Sequence, residues 1–402
     1  MNKDWDIIVV GGGIAGLAIT ALLSKFKLKI LCIEPQKPPL EENAFSADLR
    51  STAYLIDSIE ILKKTGAWDL LECQAAELRV MRICDTGSQK KQRYQEVNFK
   101  SKEINLPNFG YNIPNWFVKK SLHSIIKSSD TGHVSFKQKV VGINSRLDKC
   151  IIRLSDDRSL SAKLIVASDG RESDIRFLSK IKTKKWDNNQ DAIAFIVTHE
   201  KAHEGTSIEV LQSGGPCTLV PLKNSSDGQY QSAVVWMEKR IEAKRLMLLN
   251  DNDFSISVSS RTRHLLGNCI LKSKRTLYPI VTQLADTFYG ERLALIAEAA
   301  HVMPPIGAQG LNTSFEDISF LANLIHEASS NGSDIGNPSL LATYGKHRRR
   351  QAQSKILGVS LLNKTSESNL EVIKDLRKFT LQIINNNLSI KTALMKAGLG
   401  KI

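Results

Sequence analysis

A glycine turn near the start of the chain restricts the fold more than any other sequence feature. Strand-forming residues lead into Gly11, Gly13 and Gly16, followed by a segment with helical spacing and a second strand that ends at Glu34. These glycines allow a tight turn, close approach of the backbone to a pyrophosphate, and close helix–strand packing. The helix N-terminus attracts the same anion, and a carboxylate at the strand tip suits a ribose diol. The pattern predicts a bound dinucleotide; the alternative is a turn that only packs the unit.

Length and charge narrow the class of protein. The 402 residues suggest about two or three domains. The net charge is +14, of which residues 346–402 contribute +9. Zinc-finger spacing and basic strands interleaved with aromatic residues do not occur, so no nucleic-acid partner is predicted. The basic excess is expected to lie on solvated helix faces, and attraction to an anionic membrane surface is the alternative.

The cysteines and the N-terminus bear on the compartment. Six cysteines are scattered without C-x-x-C pairs, so neither a disulfide framework nor a metal site is indicated, and a reducing compartment is expected. The sequence shows no signal peptide and no apolar run of about eighteen residues. We expect a cytoplasmic protein, with peripheral attachment at the inner face of the membrane as an alternative.

The pattern of elements indicates an α/β fold in which a mainly β domain is inserted into a discontinuous nucleotide domain. Helices are predicted over residues 52–65, 115–127 and 311–327, and alternating strands dominate residues 190–283. The predicted domains are a dinucleotide-binding domain of residues 1–80, 114–180 and 284–345, a substrate-binding β-sheet domain of residues 81–113 and 181–283, and a basic helical C-terminal region of residues 346–402.

One apolar stripe stands out in the C-terminal region. Val372, Leu376, Phe379 and Ile383 recur at the spacing of one helix face. The stripe is predicted to contact the protein core, and lipid contact is the alternative.

Two further motifs follow buried strands. Asp169 and Gly170 end the first: the carboxylate can hold a hydroxyl or cap the next turn, and Gly170 permits a positive φ, although an ordinary turn is the favoured interpretation of these two residues alone. In the second, Glu298 is followed by a loop with Pro305 and Gly307 that enters a helix. The loop N–H groups and the helix dipole would favour the anion formed when a flavin is reduced.

Taken in order, the three motifs resemble the FAD-dependent aromatic hydroxylases of the para-hydroxybenzoate hydroxylase type, and most closely their ubiquinone-biosynthesis branch. The resemblance implies a Rossmann-like FAD/NAD(P)-binding domain of the glutathione-reductase type. Its implied FAD contacts are the ADP-binding residues Gly11, Gly13, Ala15, Gly16 and Glu34, the flavin-side Arg50, the strand-end pair Asp169 and Gly170 that also serves NAD(P)H, the ribityl-binding Glu298, and the ring-side loop residues Pro305, Gly307, Gln309, Gly310, Leu311 and Asn312.

The resemblance also implies an activity. NADPH or NADH reduces FAD, O2 reacts to give a flavin C4a-hydroperoxide, and one oxygen atom is transferred to a polyprenylated phenol. A ferredoxin is an alternative electron donor, because no second glycine motif of this kind occurs. An enzyme complex for quinone synthesis and a membrane surface are the other expected partners. The sequence itself names no acid–base residue.

Several alternatives remain open at this point. The family usually has Gly-Asp where this chain has Ala297-Glu298, which motivates a non-catalytic scaffold as an alternative; a flavin-dependent isoprenoid reductase is another. For Arg50 the alternative is a surface salt bridge. A structural role is favoured for His301 over proton transfer.

Overall fold

The computed structural model describes residues 4–39, 48, 50–85, 95–212, 214–368 and 370–400. Within these ranges the strands are β1 (Asp4–Val10), β2 (Ile30–Glu34), β3 (Ser51–Leu55), β4 (Ala76–Leu78), β5 (Val80–Asp85), β6 (Gln95–Lys100), β7 (Gly110–Pro114), β8 (Gly132–Phe136), β9 (Val140–Ser145), β10 (Cys150–Leu154), β11 (Ser159–Ala167), β12 (Thr183–His199), β13 (Thr206–Gln212), β14 (Gly215–Pro221), β15 (Tyr230–Lys239), β16 (Cys269–Leu271), β17 (Thr276–Ala285), β18 (Tyr289–Gly290), β19 (Leu293–Leu295) and β20 (His301–Val302).

The helices of the same ranges are α1 (Ile14–Ser24), α2 (Ile56–Thr65), α3 (Trp68–Leu71), α4 (Asn115–Lys127), α5 (Asp174–Leu178), α6 (Arg240–Met247), α7 (Asp251–Arg261), α8 (Gln309–Ser330), α9 (Pro338–Glu367), α10 (Glu371–Asn386) and α11 (Leu388–Gly398). Single 3-10 turns occupy Glu72–Gln74, Ser101–Ile104 and Ala297–Ala299. Among these helices none combines the length and the apolar character that crossing a bilayer requires.

The first sheet places three motif ends at one edge. Its order is β18-β19-β11-β1-β2-β8, with β1 parallel to both β2 and β11. The apolar residues of these strands are buried, as in a parallel sheet covered on both faces. Val10 is in register with both Ile33 and Ala167. The glycine turn follows β1, Asp169 follows β11, and Glu34 is the last residue of β2. These strands end together at one edge of the sheet, and open α/β sheets bind ligands at this edge.

The second sheet has one face in a core and one face along a cleft. Its order is β20-β17-β12-β15-β14-β13-β5-β6. Because side chains alternate along strands, Phe195, Val234 and Trp236 pack with Phe254 of α7, while intervening positions such as Ala194 and Val235 border the cleft. This sheet forms one wall of the candidate site.

A small third sheet corrects one sequence expectation. Residues 52–55, predicted as helix, form β3, because pairing with β7 overrides the local helical pattern. The helix α2 starts only at Ile56 and ends before Gly66, which has a φ of 82°. The predicted helix over residues 115–127 coincides with α4.

Each of the two large sheets takes its strands from separate parts of the sequence, which can be compared with the predicted domain limits. The first sheet takes its strands from residues 4–34, 132–167 and 289–295, and the second mostly from residues 80–100 and 183–285. Two strands pair with strands that the prediction assigns to the other domain: β7 pairs with β3 and β4, and β20 pairs with β17. The domain limits stay a prediction, and the chain ends 1–3 and 401–402 lie outside the described residues.

The expectation that the C-terminal stripe contacts the core was wrong. Val372, Leu376, Phe379 and Ile383 are exposed by 79, 62, 61 and 42%. The opposite face of α10 is the one that packs, with Leu381 among apolar residues of β6 and Arg377 in an ion pair of 2.5 Å with Asp85. The face of α10 that packs is therefore the one that carries Leu381 and Arg377, and not the apolar stripe.

Candidate functional site

The glycines of the first turn have different roles. A Cβ on Gly11, whose φ is +103°, would lie 2.5 Å from the carbonyl oxygen of Ser168. A Cβ on Gly16 would overlap the carbonyl oxygen of Gly11. These two glycines hold α1 and the strands together. Gly13, at the start of α1, has no atom within 4 Å of such a Cβ, so its backbone is open to the groove.

Glu34 braces the same turn. Its Oε2 accepts a hydrogen bond of 2.5 Å from Gly12 N, and its Oε1 accepts one of 3.0 Å from Gln36 N. Glu34 also borders a cavity of about 320 Å³. Gly13 and Gly170 line both this cavity and a larger cleft of about 470 Å³. The two spaces therefore adjoin at the glycine turn, and together they are called the groove below.

The Asp169 carboxylate forms its hydrogen bonds within the turn that follows it. Its Oδ1 accepts from Ser173 Oγ at 2.5 Å, and its Oδ2 accepts from Ile175 N at 3.0 Å. Burial raises the pKa of Asp169, although these hydrogen bonds act in the opposite direction. Gly170 has a φ of +88° and open space beside it. Of the two uses considered for Asp169, capping the next turn is the one that the contacts display.

Glu298 lies half-exposed in the cleft wall. Its two carboxylate oxygens accept hydrogen bonds of 3.2 and 3.3 Å from Arg171. The preceding Ala297 has a φ of 55°, in the left-handed region that glycine adopts at lower cost. Ala297 thus adopts a backbone conformation that suits glycine better, and Glu298 presents a carboxylate at the cleft.

A buried triad supports the Glu298 turn. Asp317, which is fully buried, accepts hydrogen bonds of 2.6 Å from His301 Nε2, 2.8 Å from Arg348 Nε and 3.0 Å from Ala297 N. Burial opposes ionisation of Asp317, but His301 and Arg348 outweigh it and lower its pKa. His301 thus helps to position the turn through Asp317. That it takes no part in proton transfer stays a prediction.

The loop after His301 leads into α8 beside the cleft. Pro305, Gly307, Gly310 and Leu311 line the cleft, and Gly307 has a φ of 60°. Gln309 is half-buried, and its Nε2 donates to the carbonyls of Gly307 and Gly398 at 3.2 and 3.3 Å. The start of this 22-residue helix presents backbone N–H groups to the cleft.

Asn312 is a positioning residue. Its Oδ1 accepts from Leu55 N at 2.9 Å and Ser58 Oγ at 2.7 Å. Its Nδ2 donates to the carbonyls of Ala53 and Ala308 at 2.8 and 2.7 Å. The amide is thereby fully engaged, joining β3 to α8, and it leaves no polar atom over for a ligand.

Arg50 lies where the two sheets face each other. Its guanidinium donates to both oxygens of Asp48, at 2.7 and 2.8 Å, and lies 5.6 Å from the ring centre of Tyr278. Burial opposes ionisation of Asp48, yet the Arg50 hydrogen bond lowers its pKa. The predicted salt bridge is present, but Arg50 also lines the cleft.

The comparison with known protein families decides the class. The sequence profile described as "FAD binding domain" matches residues 4–357. The chain belongs to this FAD-binding family.

Relatives of this family member carry related names. The ubiquinone hydroxylase UbiL of Rhodospirillum rubrum is 28% identical over 350 residues, covering 87% of this chain and 78% of UbiL. The ubiquinone hydroxylase UbiM of Neisseria meningitidis is 27% identical, covering 98 and 85%. The 3-demethoxyubiquinol 3-hydroxylase of Escherichia coli is 23% identical, covering 99% of both chains.

Solved structures share the fold of this family member. The p-nitrophenol 4-monooxygenase PnpA of Pseudomonas putida superimposes with a TM-score of 0.79 at 16% identity, covering 99% of both chains. HpxO of Klebsiella pneumoniae, solved with FAD and uric acid, gives 0.75 at 15% identity and covers 96 and 97%. The predicted α/β fold with an FAD-binding domain and a helical C-terminal region is confirmed.

The residues along the groove fit FAD. Gly13, Gly170 and Gly310 all border it, and a Cβ on any of them would meet no atom within 4 Å. The backbone is thus bare along the length of the groove, as an extended ligand requires. The N-terminus of α1 lies near Glu34, and the N-terminus of α8 borders the larger cleft. Each helix start can accommodate an anionic group of the cofactor.

Sequence reasoning missed several residues of the site. Arg171 and Tyr278 contact the predicted site residues Glu298 and Arg50 across long sequence separations. Asp317 supports the turn that precedes Glu298. Glu209 on β13 lines the cleft as well. Arg171 directly follows the Asp169-Gly170 motif, and this adjacency was the one available signal among them.

Proposed function

We propose that this chain is an FAD-dependent monooxygenase that hydroxylates a polyprenylated phenol in ubiquinone biosynthesis. One observation carries the proposal: a cleft lined by the start of α1, Glu298, the start of α8 and apolar residues of the second sheet adjoins the cavity beside Glu34. A cofactor and an aromatic substrate can therefore share one space. The names of the ubiquinone hydroxylases among its relatives support the choice of substrate.

The predicted site residues divide this groove. Gly11, Gly13, Ala15, Gly16 and Glu34 would hold the ADP half, Asp169 and Gly170 would shape the turn beside it, and Glu298 would bind the ribityl chain. Pro305, Gly307, Gly310 and Leu311 would flank the ring, with Arg50 opposite. Bound FAD, reduced by NADPH or NADH, supplies activated oxygen from O2. The N-terminus of α8 would stabilise negative charge on the ring.

The remaining part of the cleft suits an alkylated phenol. Leu78, Met81, Phe109, Val220 and Ile280 give it an apolar lining. Such walls bind an aromatic ring with its alkyl substituents. They also exclude water, which protects the activated oxygen from decay before it reaches the substrate.

Purified protein tests the proposed activity directly. We expect yellow protein with about one flavin per chain, oxidation of NADPH or NADH that consumes O2, and a hydroxylated product from a short-chain prenylphenol. Reduction of an isoprenoid double bond without O2 consumption would show a reductase instead. Colourless protein that takes up no added FAD, yet restores ubiquinone synthesis in deficient cells, would show a scaffold. A parallel assay with reduced ferredoxin in place of NAD(P)H tests which of the two is the electron donor.

We also propose that the C-terminal helices attach the enzyme to an anionic membrane surface. Of the large apolar side chains that are exposed in the described ranges, eleven of nineteen lie between Leu357 and Leu394. Lys364, Lys378 and Lys396 accompany them, and the region carries a charge of +9. Apolar and basic groups together suit insertion at an anionic headgroup layer. Attachment there would bring the enzyme to a substrate with a polyprenyl tail.

Two glutamate substitutions in the apolar stripe of α10 test this attachment. Replacing both Leu376 and Phe379 by glutamate should lower co-flotation with phosphatidylglycerol vesicles by at least about tenfold, because two apolar anchors are lost. Flavin content should not change, since both side chains point away from the cleft wall. The matched control replaces Ile241 and Leu248, exposed by 86 and 87%, by glutamate. Equal flotation of both variants would remove α10 from the attachment. Loss of co-purification with another quinone-synthesis enzyme instead would make this face a protein interface.

A further inference from the structure

Glu209 lies in the substrate part of the cleft, on the face of the second sheet that borders it. The residue is in the middle of β13, where Ser207 and Glu209 point to the cleft and Ile208 and Val210 point to the opposite core. Glu209 is in register with Thr218 on β14 and Ile83 on β5. Its carboxylate is therefore surrounded by strands, and the surface it exposes is that of the cleft.

This carboxylate has no partner among the residues that the structure describes. None of their hydrogen bonds or ion pairs ends on Glu209. Thr218 supplies the one polar side chain directly opposite on β14. Ser207 Oγ is turned to the carbonyl oxygen of Leu219 at 3.3 Å. The Glu209 carboxylate is thus free to accept a hydrogen bond from a ligand.

The surroundings of Glu209 tune its acidity. Burial raises its pKa from 4.5 to about 7. The charged and titratable groups of the same cleft are Asp48, Arg50, Lys119, Arg171, Tyr278, Glu298 and His301, and none of them contributes to this rise. On the flanking strands, Thr218 and Ile83 face it and carry no charge. Asp85, two positions beyond Ile83 on the same face of β5, is paired with Arg377 of α10. A pKa near neutrality suits a group that accepts and returns a proton.

The position weakens the fold, which argues against a structural role. An acid whose pKa is raised by folding costs stability as the pH rises from 4.5 to about 7, because the unfolded chain ionises first. An uncharged residue would avoid that cost. Stability given up at a cleft is typical of functional sites.

We propose that Glu209 is the catalytic base that accepts the hydroxyl proton of the phenol substrate. This proposal rests on the proposed hydroxylase function. As the new C–O bond forms at a ring carbon, the O–O bond of the oxygen donor breaks, and the second oxygen atom leaves as water. At the same time the phenol O–H bond breaks, its electron pair moves through oxygen into the ring, and its proton goes to Glu209. The hydroxylated carbon then loses its hydrogen as a proton to water, and the ring oxygen recovers the proton held by Glu209. O2 and the reduced nicotinamide supply the oxygen atom and the electrons, so the carboxylate returns unchanged.

Kinetics of the Glu209→Gln holoenzyme test the assignment, with 2-methoxyphenol as the probe. We expect kcat/KM to fall about 100-fold, as for loss of a general base. In the unsubstituted enzyme, kcat/KM should rise with pH around an apparent pKa of about 7, and the variant should lack this limb. Glu209→Asp should restore part of the rate. Glu204→Gln, an exposed change on the preceding turn, should stay within about twofold.

Binding and stability supply readouts that need no turnover. The affinity for 2-methoxyphenol, measured by equilibrium dialysis, should rise about tenfold from about pH 6 to about pH 8.5, because an ionised acceptor binds the neutral phenol hydroxyl more strongly. In Glu209→Gln the affinity should be independent of pH. The variant should also unfold at higher temperature than the unsubstituted enzyme at about pH 8 and at the same temperature at about pH 4.5.

The outcomes separate this proposal from the proposed function. If no phenol is hydroxylated but the pH dependence of binding is present and lost in Glu209→Gln, the function fails and the placement of Glu209 at a phenol hydroxyl holds. If hydroxylation proceeds and Glu209→Gln retains both the rate and the pH profile, Glu209 is not the base.

Discussion

Replacing Asp317 by asparagine should lower the free energy of unfolding by about 3–5 kcal/mol, the usual cost of leaving a buried charge without its partner. The Arg348 side chain is 3% exposed, and Asp317 is fully buried against it. Asparagine keeps the size of the side chain but removes the charge that balances Arg348. It also presents N–H groups toward donors. The turn that carries Glu298 should loosen as well, because Ala297 N loses its charged acceptor.

Urea unfolding of the holoenzyme measures this loss, and Glu316→Gln is the matched control. Glu316 also binds Arg348, at 3.0 Å, but is 32% exposed, so its loss should cost at most about 1 kcal/mol. The pKa of Asp317 is lowered below 3.8 in the folded state. Its contribution should therefore persist above pH 3.8 and disappear as the pH falls further. Equal losses for the two variants would show that Asp317 is not the anchor.

Gly13→Asp should abolish flavin binding while the flavin-free chain stays as stable as before. Gly13 has a φ of −64° and open space beside it, so a side chain fits without strain. At the start of α1, aspartate is also a good helix cap. Its charge would nevertheless meet the pyrophosphate, and we expect affinity for FAD to fall at least about 100-fold. Flavin absorbance after dialysis and fluorescence titration with FAD measure the affinity.

The neutral variant Gly13→Asn separates charge from bulk. It has nearly the same shape and caps the helix equally well, so it should lose roughly tenfold less affinity than Gly13→Asp. Thermal unfolding of both flavin-free proteins checks the fold. Full flavin occupancy in Gly13→Asp would mean that the pyrophosphate lies elsewhere.

Local patterns in the sequence were sufficient for elements that carry their own signals. The first βαβ unit and α4 lie where their spacing and boundary residues place them, because Pro114 and the glycines mark those ends locally. The helix prediction for residues 52–55 was wrong, because β3 depends on its pairing with β7 and not on a local signal. The periodicity of α10 was real, but periodicity alone does not tell which neighbour a face meets. The packed face makes its contacts far away in sequence, as in the ion pair of Arg377 with Asp85, 292 residues apart.

The same limit applies to the candidate site. The glycine turn and Glu34 belong to one βαβ unit with a recognisable spacing, and that pattern carries the chemistry. Asp317 joins His301 and Arg348 at separations of 16 and 31 residues that match no motif. Glu209 lies in an ordinary alternating strand, and only the tertiary structure makes its environment a cleft. Charges that meet across elements cannot be read from local spacing.

The hydrogen bonds of Asn312 have a consequence for how the protein matures. Leu55 and Asn312 are 257 positions apart, and the triad is complete only when Arg348 has left the ribosome. A nascent chain can form its early strands, but it cannot close the ring-side wall during most of its synthesis. Capture of flavin is therefore a late event, and a chain truncated before Arg348 should accumulate as an open, protease-sensitive apoprotein.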